Sequence, residues 1–472
     1  MSSNIFRTKP INDLLKEASG EKSLKKVLGA FELTMLGVGA IIGTGIFVIT
    51  GIAAADYSGP AIILSFVISG IACAFAALCY AELAAMVPIA GSAYTYGYAA
   101  LGEVWAWIIG WDLLLEYIVG ISAVAIGWSG YIMSLLSSIG ITLPTSLTNA
   151  PDVPGGVINL PAIIIIVLIS ILLSMGAKES TVINNIIVIV KLVVIVLFIV
   201  LGVGHVKPAN WHPFMPYGVG GVFKGAAIIF FAYIGFDAVS TAAEEVKNPQ
   251  RDLPRGIIGS LIICTVLYIV VSAILTGMVP YIKFKGTSAP VAFALQQVGI
   301  GWGSALVSVG AVAGITSVLL VLMYGQTRVF FAMSRDGLLP KVFGEVDKKH
   351  GTPIKSTILV CIVTSLIAGF MPIGKVAELT NIGTLAAFVI VSAAVIVLRK
   401  KRPDIKRGFK CPGVPVTPVL AMLFCGYLMW ELPVVTKWRF VIWLAIGLVI
   451  YFLYGKSHST MNNEREERRE VG

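Results

Sequence analysis

Gly39-Ala40-Ile41-Ile42-Gly43-Thr44-Gly45-Ile46-Phe47 lies inside the first long apolar run of the chain. Three glycines within seven residues are out of place there, because each costs a helix about 1 kcal/mol relative to alanine. A bilayer core offers no water to backbone that leaves the helix. Broken helix survives at that depth only where it is packed in protein or lines a polar cavity. The stretch therefore reads as backbone that itself binds something.

Composition agrees that this run is in a membrane. The chain has 472 residues, is 57% hydrophobic and only 13% charged, with mean hydropathy +0.90, whereas soluble domains carry about 25% charged residues. Apolar stretches of spanning length fall near 31–53, 60–86, 103–134, 159–177, 181–204, 221–243, 256–279, 302–326, 356–372, 376–398, 416–433 and 439–455, which predicts twelve transmembrane helices. The leader, residues 1–29, has six Lys or Arg and no signal-peptide core, so it reads as a retained basic cytoplasmic segment. With an even number of spans, 27 of the 35 Lys and Arg residues fall on the side of the termini and 7 on the other. The positive-inside rule then makes both termini cytoplasmic. Orientation and anionic lipid account for the net charge of +10, and a nucleic-acid partner is not expected. The six cysteines show no paired extracellular pattern, so no structural disulfide is expected.

The sixth run contains a second anomaly, Phe230-Phe231-Ala232-Tyr233-Ile234-Gly235-Phe236-Asp237. Five spans separate the two breaks, so the two runs cross in opposite directions. Interrupted helices at matching places of two five-span halves point to an inverted-repeat transporter. Past the first break, the outer half-helix aims its free N–H groups near Thr44–Ile46 at the midplane. Before the second, the outer half-helix offers unpaired C=O groups near Phe231–Ile234. An α-amino acid head group, anionic at one end and cationic at the other, fits between them. The competing reading, in which the glycines are only helix-packing notches, explains one break but not two at matching positions.

Charged residues inside the spans carry the rest. Lys191 sits at the centre of the fifth run, about ten residues from either end, too far to reach the interface. A central ammonium costs about 2.5–3.5 kcal/mol on insertion scales, and desolvation disfavours the charged form of a lysine. A lysine that gives up and regains its proton suits a proton-coupled carrier; a static lysine bonded to broken-helix carbonyls is the alternative. Glu116 and Asp112 lie in the third span and Asp237 follows the sixth-span break, each placed to shape the cavity or a proton route, or to cap a helix end. Asp112 fits the capping or vestibule role better. Glu82 reads as interfacial. Thr316 and Ser317 place hydroxyls at mid-depth of the eighth span, where a back-bond to the helix carbonyls is the plain account. No catalytic residues, metal ligands or cofactor motif are expected: the four histidines sit at or beyond span ends, and Gly455-Lys456-Ser457 lacks the rest of a phosphate loop.

At these residues the chain closely resembles the amino acid–polyamine–organocation (APC) superfamily, and within it bacterial members of the cationic amino acid transporter group. The motifs that carry the resemblance are Gly39–Phe47, Gly235-Phe236-Asp237, the run from Glu244 to Pro254, and Asn381-Ile382-Gly383-Thr384-Leu385. It covers residues 25–455. The resemblance implies an all-α integral membrane protein with the LeuT-like five-plus-five inverted repeat and broken first and sixth helices. Its divisions would be the leader 1–29, a transport core 30–400, two additional spans 401–455 and a charged cytoplasmic tail 456–472. It further implies that Gly43, Thr44 and Gly45 meet the substrate carboxylate. The carbonyls of Ile41, Phe231 and Ile234 would take the ammonium, and the Phe231 ring would gate the site. Lys191 would stand where sodium-coupled cousins bind sodium, touching backbone near Gly39 and Ile42. Thr316 and Ser317 match the hydroxyls of that sodium site, and Val321 would line the side-chain pocket.

The function expected is proton-coupled symport of L-amino acids across a bacterial plasma membrane by alternating access. A pocket of Val321, Phe231 and Ile42 favours a small neutral substrate such as alanine; an arginine or lysine substrate would need Glu116 as its counter-charge. An amino acid exchanger, and a transporter-like sensor, are the alternatives. An intramembrane enzyme has no nucleophile–base pair to support it. The partners are an amino acid, a proton and membrane lipid; a small accessory membrane subunit is left open by the sequence.

Overall fold

A computed structural model describes residues 7–9, 26–89, 92–176, 181–347 and 352–461. Most of the leader and of the tail beyond 461 thus lies outside the described residues. Those described are helical throughout, with two isolated β-bridges and no strands. The elements used below are α1 (Ala30–Ile41), α2 (Ile62–Met86), α3 (Ser92–Ala100), α4 (Glu103–Ser138), α5 (Leu160–Ser174), α6 (Thr181–Val203), α7 (Gly218–Ile229), α8 (Pro249–Met278), α9 (Pro290–Gln297), α10 (Gly301–Arg335), α11 (Ile354–Phe370), α12 (Ile373–Lys401), α13 (Val416–Glu431) and α14 (Val434–Ile450).

By length and composition, eight helical segments are able to cross a membrane, and four shorter apolar helices accompany them: α1, α5, α11 and α13. The difference from twelve full spans has local causes. α1 stops at the first glycine break. Beyond it, π-helical and α-helical turns run from Gly45 to Ser58 and join α2 through a 3₁₀ turn at Gly59–Ala61, so Gly45–Met86 forms one long segment. Gly59 makes the corner with φ +60, a conformation that suits glycine alone. The longest helices, α4 and α10, have 36 and 35 residues. At 1.5 Å per residue each is about 54 Å long, which requires tilt in a 30 Å hydrocarbon core.

The two broken helices sit among α2, α4, α8, α10 and α12, and small residues allow the close approach. A Cβ on Gly37 would lie 2.6 Å from Cβ of Ser260 on α8, and one on Gly256 would lie 2.6 Å from Cβ of Leu33 on α1. On the periphery, Trp111 and Trp443 stack with centroids 4.4 Å apart. Each indole N–H also donates to the other residue's carbonyl, at 2.8 and 3.1 Å, fixing α14 on α4. Glu82, four residues before the end of α2, is 2% exposed. It accepts from Arg399 (3.0 and 2.6 Å), Arg407 (3.2 Å) and the Cys411 N–H (2.7 Å), because the 402–415 connection folds back over the end of α2 and closes it from water.

Candidate substrate site between two broken helices

The first break spans Ile42 and Gly43. Ile42 leaves the helix with ψ 103, and helical pairing resumes with the Phe47 N–H on the Gly43 carbonyl at 3.3 Å. The N–H groups just before Phe47 therefore have no intrahelical acceptor, and they carry the positive end of that half-helix. In the second break α7 passes through a 3₁₀ turn at Phe230–Tyr233. Ile234 is extended (φ −60, ψ 134) and Gly235 has φ +116. The Phe231 carbonyl keeps only a long contact, 3.4 Å from the Ile234 N–H.

The breaks mesh through their glycines. A Cβ on Gly45 would lie 2.6 Å from the Ala232 Cβ, and one on Gly235 would lie 2.9 Å from the Ala40 carbonyl atoms. Any side chain at either position would force the two half-helices apart. Between them lies a cavity. The first break contributes Ile41, Gly43, Thr44 and Gly45 to its wall, and the second contributes Phe231, Ile234, Gly235 and Asp237. α4 adds Glu116, Tyr117, Gly120 and Val124; α10 adds Val318, Val321 and Leu322; α12 adds Thr380. The ends of the two breaks thus border one space whose remaining wall is largely apolar, an arrangement able to hold a zwitterion with an aliphatic side chain. Thr44 is 1% exposed and its hydroxyl has no hydrogen-bond partner among the described residues. Ile42 is wholly buried and is not part of the cavity wall.

Three other side chains make contacts that were not readable from the sequence. The Ile41 carbonyl, assigned to the substrate amine, already accepts from Tyr268 Oη on α8 at 2.9 Å, leaving one lone pair. Asn381 of α12 donates to the carbonyls of Ala227 and Ile228 at 2.8 and 2.9 Å, and Ser69 of α2 donates to Ala226 at 2.7 Å. The last carbonyls of α7 are thereby satisfied by protein, which directs the substrate to those further on. Lone polar residues in apolar helices were the available signal, but not which carbonyl each would meet.

Lys191 forms a separate locus behind the first break. Its Nζ donates to the Gly39 carbonyl at 2.7 Å. That carbonyl has lost its helical donor because α1 ends before Gly43. The lysine stem lies against Gly314 of α10, where a Cβ would be 2.7 Å from Cγ. The neighbouring hydroxyls are engaged. Thr316 donates to Val312 O at 2.7 Å and accepts from Trp128 Nε1 at 2.9 Å, and Ser317 donates to Gly314 O at 2.9 Å. Glu116 has Asp112 and Asp237 as its acidic neighbours. Both Asp112 carboxylate oxygens are buried without a hydrogen-bond partner among the described residues, beside Gly383, where a Cβ would be 2.8 Å from Oδ1.

A polytopic helical protein with a cavity at two helix breaks has the architecture of a membrane transporter. The chain belongs to the amino acid permease family, whose profile matches residues 28–463. It is 56% identical over 465 residues to a branched-chain amino acid permease of Bacillus subtilis, covering 98% of this chain and all of the other. It is 54% identical to a methylthioribose transporter of the same bacterium, again over 98% and 100% of the two chains. More distant is the cationic amino acid transporter 4 of Arabidopsis thaliana, 32% identical over 98% of this chain and 97% of the relative.

Proposed function

We propose that this permease is a proton-coupled symporter of neutral aliphatic L-amino acids, built as a twelve-span, five-plus-five inverted repeat with both termini cytoplasmic. The observation that carries this reading is the cavity itself, with unpaired N–H groups at Thr44 and Gly45 opposite the carbonyls of Phe231 and Ile234. The carboxylate binds at Gly43, Thr44 and Gly45. The amine binds at Phe231 and Ile234, with the remaining lone pair of Ile41. The name of the 56% identical relative extends the substrate from alanine towards branched-chain residues. Val318, Val321 and Leu322 supply apolar wall for such a side chain.

Coupling is assigned to Lys191. Protonated, it holds the Gly39 carbonyl and with it the end of α1; after proton release that hold weakens and the inner half of the broken helix is able to swing. Asp237 and Glu116, at the cavity wall, form the proton's route. The test is uptake of labelled leucine into vesicles free of internal amino acid. An inward proton gradient should drive accumulation, and Lys191→Met should abolish it while leucine binding persists. Uptake that requires internal amino acid and ignores the gradient would establish exchange instead. Because one close relative carries methylthioribose, that compound belongs in the competition panel; a sugar without the α-amino acid head group should not displace leucine.

A further inference from the structure

A second groove, remote from the cavity, runs along the start of α8. Arg251, Arg255, Ile258 and Ile262 line it, opposite Gly408 and Phe409 of the connection between α12 and α13. Positions 251, 255, 258 and 262 recur at helical spacing, so one face of α8 changes along its length from cationic to apolar. Both arginines are exposed. Neither guanidinium has an ion pair or hydrogen bond within the described residues, in contrast to Arg399 and Arg407, which both pair with Glu82. The acid adjacent in sequence, Asp252, is turned inward, 8% exposed. The arginines also occupy the first two turns of a 30-residue helix, where its dipole favours an anion. Further along, Ile262 is 58% exposed on a helix long and apolar enough to cross a membrane. The parallel bridge between Leu28 and Val246 places the start of α1 beside this end of α8, and the groove touches α1 itself: a Cβ on Gly259 would lie 3.2 Å from Thr34 Oγ1.

We propose that this groove binds one anionic phospholipid of the adjoining leaflet, its phosphate between Arg251 and Arg255 and an acyl chain along Ile258 and Ile262. Two unpaired guanidiniums above an apolar strip match a charged head group above a hydrocarbon tail. A soluble anion would use the arginines alone, and a zwitterionic lipid would bring its own cation beside them, leaving the net positive charge of the site unreduced. The site is independent of which solute the central cavity carries.

The test is native mass spectrometry of the full-length protein in detergent with equal phosphatidylglycerol and phosphatidylcholine. The wild type should retain one phosphatidylglycerol in preference to phosphatidylcholine, a selectivity that needs no variant. The double variant Arg251→Gln, Arg255→Gln should bind it roughly tenfold or more weakly, since each surface arginine contributes about 1 kcal/mol towards an anionic head group. Ile262→Asn should also reduce retention, and millimolar inorganic phosphate should not. Equal retention of the two lipids, unchanged binding in the double variant, or displacement by inorganic phosphate alone would each overturn the assignment.

Discussion

Thr44 lines the cavity and has a buried hydroxyl without a hydrogen-bond partner among the described residues. Thr44→Val keeps its shape and removes that group, so leucine affinity should fall about tenfold, the worth of one hydrogen bond to a charged group, with the unfolding temperature little changed. Unaltered affinity in a binding titration would remove Thr44 from the site. Gly120 argues the other way, through what it lacks. A Cβ there would lie 3.7 Å from Thr380 Cγ2 and 3.8 Å from Leu322 Cδ1, ordinary contacts that leave the helix packing undisturbed. Gly127 on the same helix would instead clash, its Cβ 2.8 Å from Thr44 Oγ1. Gly120→Ala should therefore fold normally and take volume from the side-chain pocket, lowering kcat/KM for leucine relative to alanine. An unchanged ratio would mean that Gly120 does not set substrate size. A sequence shows both residues as helix glycines; whether each is a packing notch or reserved volume depends on what faces it.

The breaks in the first and sixth runs were legible because glycine in a membrane helix is costly and irregular backbone there needs a reason. Lys191 was legible on the same ground, as a charge too deep to reach water. The supports of the breaks were not. Asn381 and Tyr268 are ordinary polar residues in their helices, and only the packing of α12 and α8 against the breaks assigns them carbonyls. Asn381→Ala leaves two buried carbonyls without their donor, each worth about 1–3 kcal/mol, and should lower the unfolding temperature measurably. Tyr268→Phe frees the Ile41 carbonyl at the first break. It should change leucine affinity more than stability, which a paired binding and melting experiment resolves.

Across the whole molecule, the half-helices move against a scaffold that must stay closed. Glu82 ties α2, α12 and the 402–415 connection through two arginines and a backbone N–H. Glu82→Ala should destabilise the protein by about 3–5 kcal/mol, because buried Arg407 loses its counter-charge. A melting temperature equal to wild type would refute that role. The partners of Glu82 were not legible, because sequence distance from a span end does not reveal a connection folding back over it. Broken backbone recognises the zwitterionic head group, and side chains select the substrate. The decisive measurement is competition for bound leucine by its two truncated analogues, one lacking the carboxylate and one lacking the amine. Neither should displace leucine at a hundredfold excess, whereas valine and isoleucine should; displacement by either truncated analogue as effectively as by valine would show that the backbone does not read both ends of the head group.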